Sequence, residues 1–361
     1  MQQSSWKSYL RGGLIIAFSV ALLLLVPLDA WLSVGKHAAT LAAGLQQPEN
    51  GVHLITGIGQ RPTAGAGGTT ATVPWNPILT EGIPSRTTIG TTATTQPLPP
   101  GSGKVITKQM SSGSSFVQGV AVNNKSGKTV NIADSLAHRP ALSFDKTSDK
   151  PQVLITHTHT TECYLNRNDG TYDPKASTRT NDSTKNMVAV GRVIADQLQA
   201  AGIGVIHDTV IHDQPYNGAY AHSKAEVQKL LKQYPTIRVV LDVHRDAIYP
   251  SDNSRIRPVA EINGKTAAQV MIIVGMLNSS SAPNTHTKEN LAFGVRLQQR
   301  LHRDYPGLVR PLSLADARYN QQLTNGSLLL EMGSDVNSLE EALYAGELVG
   351  KGLTQVLLSL D

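Results

Sequence analysis

Two histidines, a glutamate and the chain's single cysteine lie close together in VLITHTHTTECY, residues 153–164. His157 and His159 are two residues apart, and residues with this spacing face the same way on an extended chain. Histidine and carboxylate groups are common zinc ligands, whereas a cysteine beside a histidine base is the pattern of a thiol nucleophile. The segment therefore predicts a metal site, a thiol site or the polar end of an ordinary strand.

Polar side chains also follow two later apolar runs. The first run, VVLDVHRD, carries Asp242, His244, Arg245 and Asp246, and the second run, SLLLE, ends in Glu331. Two histidines and a carboxylate can hold a catalytic zinc and leave one position open for a water, whose pKa the ion lowers. A further carboxylate can take the proton of that water and pass it to the leaving group. Because a buried carboxylate without a partner is costly, Glu331 is the most suggestive of these acids.

Each of these residues also has a structural interpretation. A lone histidine at a strand end is more often a satisfied polar residue than a ligand. Asp242 and Asp246 could pair with Arg245, or one of them could orient a ligating imidazole through its second ring nitrogen. A nucleophilic Cys163 would need a base and a lowered pKa, and we favour the interpretation that it is a small apolar filler beside the site.

These residues require a sheet to position them. Apolar runs predict strands at 152–156, 203–207, 237–246, 268–275 and 327–331, and helical periodicity predicts helices at 184–202, 221–234, 290–306 and 338–359. This alternation predicts an α/β domain with a twisted, mostly parallel or mixed sheet flanked by helices. In open α/β sheets, ligand-binding and active sites lie beyond the carboxyl ends of the strands, which is where the polar residues described above are found.

Composition narrows the class of protein. The chain has 361 residues and a net charge of +5, but no dense Lys/Arg block, so nucleic-acid binding is not supported. The mild basic excess fits a partner with an anionic surface such as a cell envelope. With one cysteine, the chain cannot form an intramolecular disulfide.

The N-terminus predicts a membrane anchor. Residues 12–35 carry a single charged side chain, Asp29, and at about 1.5 Å per residue they are long enough to cross a bilayer as a helix. Lys7 and Arg11 precede this segment and few positive charges follow, which favours an exported C-terminal body. A cleaved signal peptide is the alternative, and we favour a retained anchor.

Four regions follow from this organisation. They are a cytoplasmic tip and anchor (1–36), a juxtamembrane segment and tether rich in Gly, Pro, Thr and Ser (37–115), a lead-in segment (116–144) and a catalytic domain (145–361). Such a tether buries too little apolar surface to offset its chain entropy, so we expect it to be flexible.

The motifs HTHTTECY, VVLDVHRDA, YPGLVRPL and SLLLEMGSDVNSLEEA occur in one order along the chain. In this order they resemble the stage II sporulation protein P family over about 145–361. The resemblance implies a zinc amidase-like (phosphorylase/hydrolase-like) fold and a membrane-anchored, zinc-dependent peptidoglycan hydrolase with its catalytic domain outside the cytoplasm. Family members act as N-acetylmuramoyl-L-alanine amidases in sporulation and engulfment, with an endopeptidase activity also attributed to them. The resemblance further implies three kinds of partner: peptidoglycan, the membrane and other sporulation cell-wall proteins, such as stage II sporulation proteins D and M.

The broader similarity to cell-wall zinc amidases implies roles for individual residues. His244 is similar to the later-strand zinc ligand, and Glu331 to the general base. His159 aligns with the first-strand ligand, with His157 as the alternative, and Glu162 substitutes for a glutamate ligand that amidases carry just before the first helix. Arg245 is implied to hold substrate or an acidic neighbour.

Two positions depart from the family pattern. Cys163 stands where the family usually has serine, which argues against a thiol mechanism, and NTHTKEN at 284–290 stands where NPNWKEN is more frequent. Two other functions stay open: a peptidase that cuts cross-links with the same zinc, and a module that binds peptidoglycan or a partner without cleaving it.

Overall fold

The computed structural model describes residues 101–360 except 112, 167–168, 251–252 and 280–282. The predicted anchor at 1–36 and the part of the tether before residue 101 lie outside the described residues. In the described part, no helix combines the length and apolar character needed to cross a membrane.

Twelve strands and five α-helices occur among the described residues. The strands are β1 (Gly103–Lys108), β2 (Ser115–Val117), β3 (Val120–Asn124), β4 (Pro151–Thr156), β5 (Thr171–Tyr172), β6 (Gly204–His207), β7 (Val239–Asp246), β8 (Ser254–Ile262), β9 (Lys265–Ala268), β10 (Val270–Gly275), β11 (Leu312–Ala315) and β12 (Ser327–Ser334). The helices are α1 (Ile132–Ala137), α2 (Met187–Ala200), α3 (Ala219–Gln233), α4 (Thr287–Asp304) and α5 (Leu339–Leu358).

An eight-stranded sheet forms the centre of the domain, in the order β2-β3-β11-β10-β12-β7-β4-β6. Strands β6, β4, β7 and β12 are parallel to one another, and β10 joins β12 antiparallel. The prediction of a mixed α/β fold with a helix-flanked sheet is therefore confirmed. The topology places β4, β7 and β12 side by side, so their polar carboxyl ends meet at one edge.

Successive side chains of a strand point to opposite faces of the sheet. Because the central strands carry apolar side chains on both faces, helices cover both faces. Val153 and Ile155 of β4 join the larger core, which also contains residues of α2, α4 and α5. Leu154 faces the other way, into a smaller core that includes Val227 and Leu230 of α3. Burial on both faces explains why β4 and β12 read as continuous apolar runs rather than as alternating ones.

A second sheet, in the order β5-β1-β8-β9, was not predicted. Strand β8 alternates between buried residues and half-buried or exposed ones, and its turn to β9 contains Asn263 and Gly264, both with positive φ. An Asn-Gly pair between two strands is a strong hairpin signal. The signal was present in the sequence but was missed because the apolar content of β8 is low.

The predicted boundaries between the tether, the lead-in segment and the catalytic domain are wrong at two points. Strand β1 falls inside the predicted tether, yet it pairs in parallel with β8 from Lys104 to Lys108. Strand β3, in the predicted lead-in segment, pairs with β11 in the central sheet. The folded domain therefore begins before residue 145, at or before Gly103, and the threonine-rich composition just upstream concealed where β1 begins.

Candidate active site

Three neighbouring parallel strands deliver the chemistry-bearing residues to one edge of the central sheet. His244 of β7 and Glu331 of β12 are aligned across the two strands, so both side chains emerge on the same face. Turns that follow β4 carry His159 and Glu162 to the same edge. The proximity of these four residues, which are far apart in sequence, results from the parallel order of the strands.

His159, Glu162, Asp242 and His244 form a compact cluster. The rings of His159 and His244 meet edge to face, with centroids 5.4 Å apart and an interplanar angle of 90°. Nδ1 of His244 lies 3.7 Å from Oε2 of Glu162. Nε2 of His244 lies 2.8 Å from Oδ1 of Asp242, but off the direction of a hydrogen bond, so this buried nitrogen has no hydrogen-bond partner among the described residues.

Asp242 is the carboxylate that holds this cluster in place. Its Oδ1 accepts a hydrogen bond from the backbone N–H of Thr158 at 2.8 Å, and its Oδ2 accepts one from the Thr158 hydroxyl at 2.7 Å. Burial alone would raise the pKa of Asp242, but His244 and Thr158 outweigh it and lower the pKa. Asp242 is therefore placed to orient the His244 ring as an ionised neighbour, not to pair with Arg245.

The pKa values of His244 and Glu331, which are aligned across β7 and β12, are both raised, but by different causes. Burial raises the pKa of Glu331 to about 8, and its Oε2 has no hydrogen-bond partner in the part of the chain that the structure describes. Burial would lower the pKa of His244, but the nearby carboxylates of Asp242 and Glu162 outweigh it and raise the pKa to about 9. A carboxyl group with a pKa near neutrality is suited to accept and release a proton.

His157, the alternative ligand, does not belong to this cluster. Its Nδ1 lies 2.9 Å from the backbone oxygen of Val243, and its Nε2 lies 2.9 Å from Nε2 of His207. Burial lowers the pKa of His157 to about 4, so the ring is neutral. Because the carbonyl can only accept, Nδ1 carries the proton and Nε2 accepts from His207. Both ring nitrogens of His157 are thereby engaged inside the domain, away from His159.

Gly191 of α2 makes room for this histidine pair. A Cβ at Gly191 would lie 2.5 Å from Nε2 of His157 and 2.7 Å from Nε2 of His207, closer than real contacts. We expect Gly191→Ala to lower the free energy of unfolding by about 1–3 kcal/mol, through overpacking. Gly346→Ala in α5 is the matched control, because its Cβ would meet Val190 at an ordinary 3.4 Å.

Urea unfolding followed by circular dichroism measures both variants. The alanine at Gly346 should stabilise the protein by roughly 0.5–1 kcal/mol, as expected for a helix interior. If both glycine variants gain stability, the close packing of His157 and His207 against α2 is refuted.

Arg245 is a structural clamp and not a free substrate-binding group. Its side chain donates to the backbone oxygens of Cys163 at 3.1 Å, Thr178 at 3.0 Å and Asp246 at 3.3 Å. These bonds fasten the turn after β4 to the end of β7. The carboxylate of Asp246 binds a different arginine, because Nη1 of Arg310 donates to its Oδ2 at 2.8 Å.

Glu162 is held by its neighbours in a position beside the histidines. Its Oε1 accepts from Nη2 of Arg179 at 3.4 Å, and its Oε2 accepts from the backbone N–H of Arg245 at 3.3 Å. No three His, Cys, Asp or Glu side chains among the described residues converge closely enough to form a ready metal-binding group. The donor types suit zinc nevertheless: Nδ1 of His159 is buried and has no hydrogen-bond partner among the described residues, and Nδ1 of His244 lies on the Glu162 side of its ring, opposite Asp242.

Two tyrosines that were not predicted line this site. The ring of Tyr216 stacks on His159 with centroids 4.9 Å apart and an interplanar angle of 9°. Tyr220 meets His159 edge to face at 5.7 Å and lies nearly parallel to His244 at 6.5 Å. Both belong to the segment HDTVIHDQPYNGAY, residues 207–220. An aromatic residue gives no local signal of which sheet edge it will face.

Cys163 is placed beside the site but has the wrong electrostatics for a nucleophile. Burial raises the pKa of its thiol, which opposes formation of the thiolate. We expect Cys163→Ser to retain hydrolytic activity within about threefold, since serine preserves the size of the side chain and the backbone contacts are unchanged. A loss beyond about a hundredfold in released peptide would instead identify a thiol mechanism.

Known proteins share sequence similarity with the region that contains this site. The sequence profile of Stage II sporulation protein P (SpoIIP) matches residues 100–354. A curated protein of that name from Bacillus subtilis (strain 168) is 31% identical over 207 residues, which cover 54% of this chain and 48% of that protein. The chain therefore aligns with about half the length of this curated relative.

Solved amidase structures share a lower similarity. An N-acetylmuramoyl-L-alanine amidase from Clostridium difficile 630 is 17% identical, covering 59% of this chain and 97% of that chain, with a TM-score of 0.33. The CwlD amidase from Clostridioides difficile, solved in complex with the GerS lipoprotein, is 13% identical, covering 58% of this chain and all of that chain (100%), with a TM-score of 0.35. TM-scores this low carry no inference about activity.

The family assignment thus depends on the profile match alone. That match begins near the first described strand, includes every residue of the candidate site and ends within α5. Because it covers well over half of the chain, the protein belongs to the stage II sporulation protein P family.

Proposed function

We propose that this protein is a zinc-dependent peptidoglycan hydrolase, an N-acetylmuramoyl-L-alanine amidase that remodels the cell wall during sporulation. One observation carries the proposal: Glu331, whose Oε2 is buried and has no hydrogen-bond partner among the described residues, stands beside the histidines at one sheet edge. Membership of the stage II sporulation protein P family supports the choice of substrate. The bond cleaved is the amide between the lactyl group of muramic acid and L-alanine.

His159, His244 and Glu162 are the residues that would hold the zinc. Their donor set of two imidazoles and one carboxylate is typical of catalytic zinc sites. Bound there, zinc supplies Lewis acidity that polarises the amide carbonyl and lowers the pKa of a water. Asp242 orients the His244 ring, as carboxylates commonly do for ligating histidines. His157 is a structural residue in this assignment.

Glu331 performs the proton transfers. Its raised pKa, about 8, is close enough to neutral pH for the carboxyl group to accept a proton from water and later donate one. The acceptor of the second transfer is the amine of L-alanine, which would otherwise leave as an unstable anion. Tyr216 and Tyr220 cover the histidines and limit the access of bulk water to them.

The location of this activity is also part of the proposal. A retained anchor at 12–35 and a flexible tether would hold the catalytic domain outside the cytoplasm and close to the membrane. Cleavage would then be confined to wall within reach of the tether. Protease accessibility of the domain in intact cells, compared with that of a cytoplasmic protein, tests this arrangement.

The direct test uses the full-length chain with purified peptidoglycan. We expect stem peptides with a free L-alanine amino group to be released, and release to stop with a chelator and resume when zinc is added. Mass spectrometry of the products separates this activity from cleavage of peptide cross-links. Binding of peptidoglycan without cleavage and without bound zinc would favour the non-catalytic module.

A further inference from the structure

A turn with an unusual backbone lies beside the candidate site. Tyr319 and Asn320, between β11 and β12, both have positive φ angles, +51° and +57°. Residues other than glycine rarely adopt this left-handed region, and a residue as bulky as tyrosine is strained there. Such strain persists only where surrounding contacts impose it, and it concentrates at functional sites. The two strained residues therefore point to a use for their side chains.

The turn that carries Asn320 is fastened to the central sheet. A Cβ at Gly275, the last residue of β10, would lie 2.6 Å from the backbone oxygen of Ala317, so the turn and the strand are in close contact. The side chain of Gln321 accepts a hydrogen bond from the backbone N–H of Gly275 at 2.8 Å and donates to the backbone oxygen of Ile273 at 3.0 Å. The backbone on both sides of Asn320 is thereby held, so its side chain has a defined position.

The amide of Asn320 reaches the start of α3. Its Nδ2 donates to the backbone oxygen of Tyr220 at 2.9 Å and to the hydroxyl of Ser223 at 3.1 Å. A carbonyl oxygen can only accept, so the nitrogen of the amide, and not its oxygen, must face α3. The ring of Tyr220 is the one that meets both His159 and His244. One side chain thus holds the residue that carries this ring and contacts Ser223 as well.

Ser223 continues the contacts of Asn320 toward Asp242. The buried hydroxyls of Ser223 and Thr158 are 2.7 Å apart, and the Thr158 hydroxyl lies 2.7 Å from Oδ2 of Asp242. Because a carboxylate only accepts, Thr158 donates to Asp242 and must accept from Ser223. The Ser223 hydroxyl has then used its proton and accepts from Asn320. Every donor in this chain of hydrogen bonds is therefore directed toward the carboxylate.

The carboxylate at the end of this chain adjoins the proposed zinc site. Oδ1 of Asp242 lies 2.8 Å from Nε2 of His244, and a carboxylate beside a ligating imidazole commonly sets the orientation of the ring. We propose that Asn320 is a positioning residue that fixes Asp242, through the two hydroxyls, and thereby orients His244 as a zinc ligand. This inference rests on the proposed function, and it identifies the outer support of one ligand.

Loss of the Asn320 amide would break the chain at a defined point. The backbone oxygen of Tyr220 would lose its donor, and the Ser223 hydroxyl lies 3.4 Å from that oxygen. Ser223 would then turn its proton to Tyr220, since serine hydroxyls in helices bond to backbone oxygens of the preceding turn. Thr158 would keep its bond to Asp242 but lose the donor that polarises its hydroxyl. The carboxylate would be held less firmly, and zinc would bind more weakly.

Asn320→Gly separates positioning from a purely structural role. Glycine adopts a φ of +57° without strain, so relief of the backbone should offset the lost hydrogen bonds and leave the midpoint of urea unfolding nearly unchanged. Zinc affinity, measured on the full-length protein by competition with a chelating dye, should fall by on the order of tenfold, as for other outer contacts of metal ligands. Wild-type zinc affinity in this variant would overturn the proposal.

Asn263→Gly is the matched control for the backbone effect. Asn263 also has a positive φ, +50°, but it is exposed and lies in the turn between β8 and β9. The control therefore gains the same backbone freedom without removing a side chain from the site, and it should bind zinc like the wild type. Equal losses of zinc affinity in Asn263→Gly and Asn320→Gly would refute a specific role of the Asn320 amide.

Ser223→Ala cuts the same chain one link further on. Its effect on zinc affinity should match that of Asn320→Gly, and the double variant should bind zinc no more weakly than either single variant, because both changes remove one interaction. Additive losses would refute the chain. Should Asn320→Gly fail to fold, Ser223→Ala is compared with Thr354→Val, which removes a buried hydroxyl from α5. Equal zinc affinities of those two variants would then refute the proposal.

The two proposals fail separately. If Asn320→Gly binds zinc more weakly but the wild type never releases stem peptides, the support of His244 stands and the amidase activity is refuted. If release requires zinc and Asn320→Gly binds zinc normally, the amidase activity stands and the role of Asn320 is refuted.

A measurement without zinc covers the remaining case. If the wild type binds no zinc, the proposed function is refuted, and nuclear magnetic resonance of the full-length protein labelled with ¹⁵N-threonine decides on the chain. The backbone N–H of Thr158 donates to Asp242 at 2.8 Å, so its resonance reports on the carboxylate. It should shift in Asn320→Gly and stay in place in Asn263→Gly, and an unshifted resonance in Asn320→Gly would refute the chain.

Discussion

Replacing Glu331 with glutamine should reduce kcat for stem-peptide release by about 10²–10⁴-fold while the fold is retained. Glutamine keeps the size of the side chain but can neither accept the proton of a water nor deliver one to the amine. The variant should still contain zinc, because Glu331 is not among the proposed ligands. Release of L-alanine amino groups from peptidoglycan, with zinc content measured on the same sample, checks this expectation.

The stability of the zinc-free protein provides the control. The pKa of Glu331 is about 8 in the folded protein against an ordinary 4.5, so between these values the folded state holds a proton that the unfolded chain has lost. Its contribution to the free energy of unfolding therefore falls as pH rises from 4.5 to 8. Glu331→Gln removes this titration and should be at least as stable as the wild type at pH 8. Full activity in the variant would eliminate Glu331 as the base.

Alanine at His159 or His244 should remove bound zinc and hydrolysis together, the second large effect expected. Each substitution deletes one of two imidazole ligands and leaves a site that the remaining donors cannot complete. We expect zinc bound after dialysis to fall from about one ion per chain to nearly none. Elemental analysis of the purified variants measures this directly.

His157→Asn is the matched comparison for these two variants. His157 lies two residues from His159, but its nitrogens face Val243 and His207 inside the domain. The variant should keep its zinc and lose stability, whereas an alanine at His159 should lose zinc. Zinc loss in His157→Asn together with zinc retention in the His159 variant would reverse the assignment of the ligand.

Much of the architecture follows from local sequence alone. The apolar runs of β4, β7 and β12 are continuous because both faces of the central sheet are covered, so they are readable without knowledge of the fold. The same holds for α2 and α5, whose periodic apolar positions and terminal signals are local. By contrast, β1 carries few apolar residues and is a strand because β8 lies beside it.

The sequence by itself determined which residue types stand at the strand ends, and hence that His244 and Glu331 were candidates for metal and proton chemistry. Only the tertiary structure decided how each is used. His157 and His159 share one motif, yet one ring meets His207 and the other meets His244. Partners of this kind come from distant segments, and the order of the strands, which no short stretch of sequence encodes, determines which of them meet.

Arg245 and Arg310 show the same contrast between what the sequence determines and what the tertiary structure decides. Arg245 lies in the motif VVLDVHRDA, and the family resemblance implied that it holds substrate or an acidic neighbour, whereas Arg310 lies in the separate motif YPGLVRPL. In the folded chain Arg245 donates to backbone oxygens, while Arg310 pairs with Asp246 of β7 and has two nitrogens without a hydrogen-bond partner among the described residues. The sequence determines how many hydrogen-bond donors an arginine side chain carries. Which of these donors are paired depends on the carbonyls and carboxylates that the fold brings within about 3 Å.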